Sequence, residues 1–178
     1  MTIQSFSIEN VKDTYCYVAQ DVTPVATATD VLTISGANGR QINIHAISVV
    51  GTATAASIYD FYLVKRTAAN TGGTATNPTG TTSDSYDAAH TARLSLYSAN
   101  PASLGTGTVI KANKLYLAAG STPGAAALPT VYNFGDFGAK PVILRNASES
   151  LCFNFNGQAV PAGAQLYLQV EWTEDFGA

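Results

Sequence analysis

The groups able to do acid–base, nucleophilic or metal chemistry in this 178-residue chain are few: two histidines, two cysteines and twelve carboxylates. Catalysis needs several such groups converging on one point. His45 falls inside a run of alternating apolar residues and reads as a packed or edge-strand position. His90 ends a stretch rich in Thr, Gly, Asn and Ser. No G-x-S-x-G elbow accompanies either histidine, so a serine hydrolase finds no motif. A glycosidase needs two carboxylates facing each other across a sugar, which spacing alone does not decide. The acids that cluster are Asp84 with Asp87, and Glu171 with Glu174 and Asp175; the latter group is expected to follow the last strand into solvent. Asp84 and Asp87 lack the acidic density of a calcium loop.

Cys16 and Cys152 form no CxxC or Cys/His ligand set. They read as two buried thiols, and whether they pair depends on whether an early and a late strand are neighbours. Gly72-Gly73 and Gly105-Thr106-Gly107 lack the strand-before, helix-after context of a phosphate loop. No catalytic residue, metal ligand or cofactor site is assigned, and the chain reads as non-enzymatic.

Composition points the same way. Charged residues make up 12% of the chain, about half the share of an average soluble domain. Seventeen aromatic residues (nine Tyr, seven Phe, one Trp) separate it from disordered sequences. A folded protein with so few ions has a surface that loses little when desolvated, which suits permanent contact with other subunits. The nine Lys and Arg are scattered, with Lys65-Arg66 the one adjacent pair. Without a basic stripe, direct binding of nucleic acid is not expected. The first residues do not resemble a signal peptide, and no apolar run approaches a membrane span, so synthesis and retention in a cytoplasm are expected.

Period-two alternation dominates the elements that must position these groups. Residues 14–18 place two tyrosines on one face. In residues 30–35, Leu32 and Ile34 oppose Val31, Thr33 and Ser35, and the Gly36-Ala37-Asn38-Gly39 turn follows. Residues 40–51 change phase: Ile42 and Ile44 point one way, Ile47 and Val49 keep that side only if one residue is inserted. A bulge is therefore expected at His45-Ala46. Residues 58–66 are apolar on both faces and read as a central strand. Residues 67–91 hold almost no aliphatic side chain and read as a long loop. Strand patterns resume at 93–97, 114–118, 131–134, 142–145, 151–155 and 165–172, with Asn156-Gly157 the strongest short turn signal. The expected architecture is all-β: a two-sheet antiparallel sandwich, most simply a jelly roll, with an arm at residues 1–13 and a single domain at 14–178. An immunoglobulin-like sandwich lacks its Cys-Trp-Cys order. Six tyrosines (15, 17, 59, 62, 116 and 167) could form a shelf for sugar, though core and interface positions fit them better.

Two stretches carry a resemblance. They are KRTAANTGGTATNPTGTTSDSYDAAHTARLSLYSANPASLGT (65–106) and PVILRNASESLCFNFNGQAVPAGAQLYLQVEWTE (141–174). Their NTGGT loop, L-Y-x-A-N-P strand end and closing V-E-W-T-E resemble small virion proteins from the structural gene blocks of tailed bacteriophages. The resemblance implies a place on the head exterior as a capsid cement or decoration protein. Such proteins are often jelly-roll homotrimers clamped over the major capsid protein lattice. Ile3, Phe6 and Ile8 would then strap the arm to the shell by strand addition. Asn70, Asn77 and Tyr86, in the long loop, would contact neighbouring copies. The competing expectation is a tail, fibre or adhesion module that binds a host-surface glycan.

Overall fold

A computed structural model describes residues 12–120 and 127–176. Among the described residues the chain is all-β, with a single 3-10 turn at Asp136–Gly138. Twelve strands follow one another: β1 (Thr14–Val22), β2 (Asp30–Ser35), β3 (Arg40–Ala53), β4 (Ser57–Arg66), β5 (Thr74–Thr76), β6 (Thr81–Thr82), β7 (Arg93–Ala99), β8 (Gly107–Ala119), β9 (Thr130–Asn133), β10 (Val142–Leu144), β11 (Ser150–Asn154) and β12 (Gln165–Phe176).

The strands form one curled sheet in the order β5-β7-β2-β11-β4-β8-β3-β12-β1-β6, with β9 and β10 on the remaining edge of β3. Every pairing is antiparallel except a two-residue parallel junction, where Thr52 and Ala53 meet Ala118 and Ala119. That junction makes continuous what the sequence suggests as two sheets. The curl closes on itself: Phe61 of β4 stacks on Tyr132 of β9 at 6.3 Å and tilts against Phe153 and Phe155 at 5.9 and 5.5 Å. Inward side chains from both limbs, among them Leu32, Ile34, Leu63, Leu151, Leu166, Leu168 and Val170, share one core.

The phase change in β3 is the expected bulge. Glu171 pairs with Ala46 and Trp172 with Ile44, which leaves His45 as the extra residue. Ile42, Ile44, Ile47 and Val49 therefore all face the core. At Asn156-Gly157 both residues have positive φ, 60° and 64°. The turn does not close a hairpin; it leads the chain out of β11 towards β12 in the other limb.

Residues 67–91 are mostly irregular, with two short strands. β5 pairs with β7 and β6 with β1. Thr71 and Ser103 exchange backbone hydrogen bonds at 3.0 and 3.1 Å, and the Thr67 N–H donates to the Thr106 carbonyl at 2.8 Å. The segment lies over its own domain because its hydroxyls, amides and glycines match a sheet face that is itself polar. The proposed strap residues Ile3, Phe6 and Ile8 lie outside the described residues.

Candidate functional site

The polar face under that segment belongs to the β7-β2-β11-β4 limb. Alternation sends Leu32, Ile34, Leu151, Phe153 and Leu63 inward and leaves the intervening residues outward. Register then aligns them in rungs. One rung runs Arg93–Ser35–Ser150–Arg66, and the next runs Ser95–Thr33–Cys152–Val64.

At one end a charged cluster fastens the cover. The Arg66 Nε and Nη2 atoms donate to the two Asp30 oxygens at 2.7 and 2.9 Å. Asn154 and Asn70 donate to the same carboxylate at 2.6 and 2.7 Å. Arg66 Nη1 donates to the Gly105 carbonyl at 2.6 Å, and the Gly105 N–H donates to Asn70 Oδ1 at 2.9 Å. Asp30 is fully buried and Arg66 nearly so. Burial opposes the Asp30 charge, but the donors from Arg66, Asn154 and Asn70 outweigh it and hold the carboxyl below its ordinary value. Burial pushes the adjacent Cys152 thiol up, so it is an inert thiol.

At the other end the same face opens into a cavity of about 360 Å³. Its floor is Thr33, Ser35, Ser95 and Ser150; Asn38, Ala147, Asn70 and Tyr97 form its sides, and Arg93 reaches its rim. The Arg93 guanidinium touches only Asn77 Oδ1, at 3.3 Å, and has no carboxylate partner among the described residues.

The second half of the cover is held differently. The Glu174 carboxylate accepts from the Thr91 and Ala92 N–H groups at 2.9 Å and from Trp172 Nε1 at 3.1 Å. Asp175 accepts from Lys12 and from Asn43. The acids expected to trail into solvent therefore sit inside β12, which runs four residues further than its apolar alternation suggests.

His90 Nε2 accepts from the Gly80 N–H and Nδ1 donates to the Ala92 carbonyl, both at 2.8 Å. Its ring packs edge-on against Tyr15 and Trp172. His45 bonds Thr173 Oγ1 at 2.8 Å. Burial first, then the Lys12 ammonium, keeps its ring below the usual imidazole value, with Asp175 and Glu171 opposing. Neither histidine lines the cavity. Among the described residues no group of three or more His, Cys, Asp or Glu could hold a metal ion.

Of the residues expected at subunit contacts, Asn70 turns inward to Asp30 and Gly105, and Asn77 accepts from Arg93 and Ser95. Tyr86 stands 97% exposed. The thiols are unpaired: Cys152 is buried, while Cys16 is half-buried on β1 in the other limb. The tyrosines form no shelf: Tyr15 and Tyr59 are buried, and the exposed Tyr116 and Tyr167 sit on β8 and β12, in separate limbs. Sequence reasoning missed Asp30, Arg66, Asn154 and Arg93. The signal was the small polar set Thr33-Ser35 and Ser150-Cys152-Asn154 alternating with core residues.

No known protein family, characterised protein or solved structure was found to match this chain. No helix among the described residues is long and apolar enough to cross a membrane.

Proposed function

We propose that the chain is a jelly-roll structural protein that works by covering surface rather than by catalysis. A jelly roll is a long antiparallel hairpin of strands rolled into two layers. That reading is supported by four antiparallel rungs: β1 with β12, β2 with β11, β3 with β9, and β4 with β8. Read this way, β5, β6 and β7 are an insertion between the fourth and fifth strands of the roll, and β10 an addition after the sixth.

Within that class, we assign it to the head exterior of a tailed-phage virion, as a cement protein bound to the major capsid protein lattice and assembled as a homotrimer. The observation that carries this is the outward face of β1-β12-β3-β9. Its rungs Cys16–Glu171–Ala46–Asn133 and Val18–Gln169–Ser48–Val131 hold one ionised side chain, Glu171. Val18, Val131 and Tyr167 on this face are 40%, 53% and 41% exposed. Such a face meets a partner at small desolvation cost. Tyr86 at the tip of the cover is the contact we assign to a neighbouring copy. Binding only to the expanded lattice stabilises it by mass action, and joining copies in trimers adds avidity.

The test is a copy count per particle by quantitative mass spectrometry, paired with thermal disruption of virions lacking the protein. Near-stoichiometric copies and a lower disruption temperature without it are expected. A handful of copies per particle, or unchanged heads, would overturn the assignment.

A further inference from the structure

We propose that the cavity on the β7-β2-β11 face binds an acidic saccharide, its carboxylate on Arg93 and its hydroxyls on the serine and threonine floor. This goes beyond the virion assignment and does not rest on it. Three observations converge. The cavity, about 360 Å³, is within the range of small-ligand sites. Arg93, the one cation among its described lining residues, has no acid partner among the described residues, and a guanidinium offers a planar fork suited to a carboxylate. Finally, Thr33 is 3% exposed, yet neither its hydroxyl nor that of Ser35 has a side-chain hydrogen bond among the described residues. The Ser95 and Ser150 hydroxyls are engaged with Asn77 and Cys152, so Thr33 and Ser35 are the floor hydroxyls left to a ligand; beside a guanidinium without a carboxylate partner they match one that is itself hydroxylated and anionic.

The arrangement also excludes alternatives. The floor offers hydroxyls, and the apolar part of the lining is limited to Ala37, Ala69, Ala147 and the Tyr97 ring. Ser35 and Arg93 are direct cross-strand partners, so their side chains leave neighbouring positions on one face of the sheet. A bare anion would use Arg93 and leave the Thr33 hydroxyl unused.

The experiment is an NMR titration of the whole protein with glucuronate, glucose and inorganic sulfate, each at millimolar concentration, followed through backbone amides. Glucuronate should give saturable shifts at Thr33, Ser35 and Ser95. Arg93→Gln, an exposed position that leaves the core intact, should weaken it about tenfold or more, and Thr33→Val a few-fold. Glucose should bind more weakly than glucuronate. No saturable shifts with glucuronate would overturn the proposal. So would sulfate binding as tightly as glucuronate with no effect of Thr33→Val, or glucuronate binding that ignores Arg93→Gln. None of these results changes the copy count per virion, so the two assignments stand or fall separately.

Discussion

Arg66 grips Asp30 fork to fork across the polar face, its Nε and Nη2 atoms on the two carboxylate oxygens at 2.7 and 2.9 Å. Both are buried, so removing one partner strands a charge. Arg66→Met should cost about 3–5 kcal/mol in urea unfolding. Asp30→Leu combined with Arg66→Met should recover a large part of that loss, because two matched apolar groups replace a broken pair. A double mutant no better than Arg66→Met would contradict the pairing.

The same carboxylate sets an acid limit. Its folded value lies below the unfolded 3.8. The unfolded chain therefore takes up the proton first as pH falls. The stability Asp30 contributes is complete above pH 3.8 and is lost as pH drops from there through the folded value. Urea midpoints measured down this range should fall more steeply for the natural chain than for Asp30→Asn.

His45 has the same sign at a higher pH. Its folded value is lowered from 6.5, so the neutral ring is favoured in the folded state. Its contribution is full above pH 6.5 and is lost as pH falls from there through the folded value. Lys12→Gln removes one of the causes. The His45 ring resonances should then titrate closer to 6.5, and a midpoint that stays put or moves down would refute the contribution of Lys12.

Gly105 is the close-approach point of the cover. A Cβ there would lie 1.8 Å from the Ala68 carbonyl oxygen. Gly105→Ala should destabilise by about 1–3 kcal/mol and speed amide exchange at Thr67 and Thr71. The β3–β12 ladder should exchange as before. Uniform acceleration throughout the sheet would mean that the cover is not a separable unit.

Tyr59 offers a change in the opposite direction. It stacks on Phe155 at 5.1 Å, and its buried hydroxyl has no hydrogen-bond partner among the described residues. Burial pushes its phenol up to about 12. Tyr59→Phe keeps the ring and removes an unsatisfied group, so it should stabilise by about 1 kcal/mol. A lower urea midpoint would show that the hydroxyl is satisfied after all.

The sequence made some of this legible. The β3 bulge could be placed because four apolar residues change phase around His45, and only an inserted residue returns them to one side. The first half of β8 was not legible. Residues Gly107–Asn113 are largely exposed on both faces, so no alternation marks them as strand; pairing with β4 holds them there. The attachment of the cover was not legible because it uses backbone groups and short polar side chains, which leave no apolar period. Asp30 and Arg66 are 36 residues apart, and nothing short of the fold brings them together. Glu174 looked solvated for a related reason: its partners, Thr91 and Ala92, arrive from the far end of the cover.

The cover rests on hydroxyls, amides and one buried ion pair, whereas the interior rests on aliphatic and aromatic side chains. Peeling the cover back would hydrate mostly polar surface, which lowers heat capacity, while opening the interior raises it. The two parts therefore respond to temperature on separate curves. Cooling weakens the interior and spares the latch around Asp30; warming frees the latch first, since partial openings of a fold begin where little apolar area is buried. A calorimetric trace with a small early shoulder ahead of the main transition is the signature this division of materials implies.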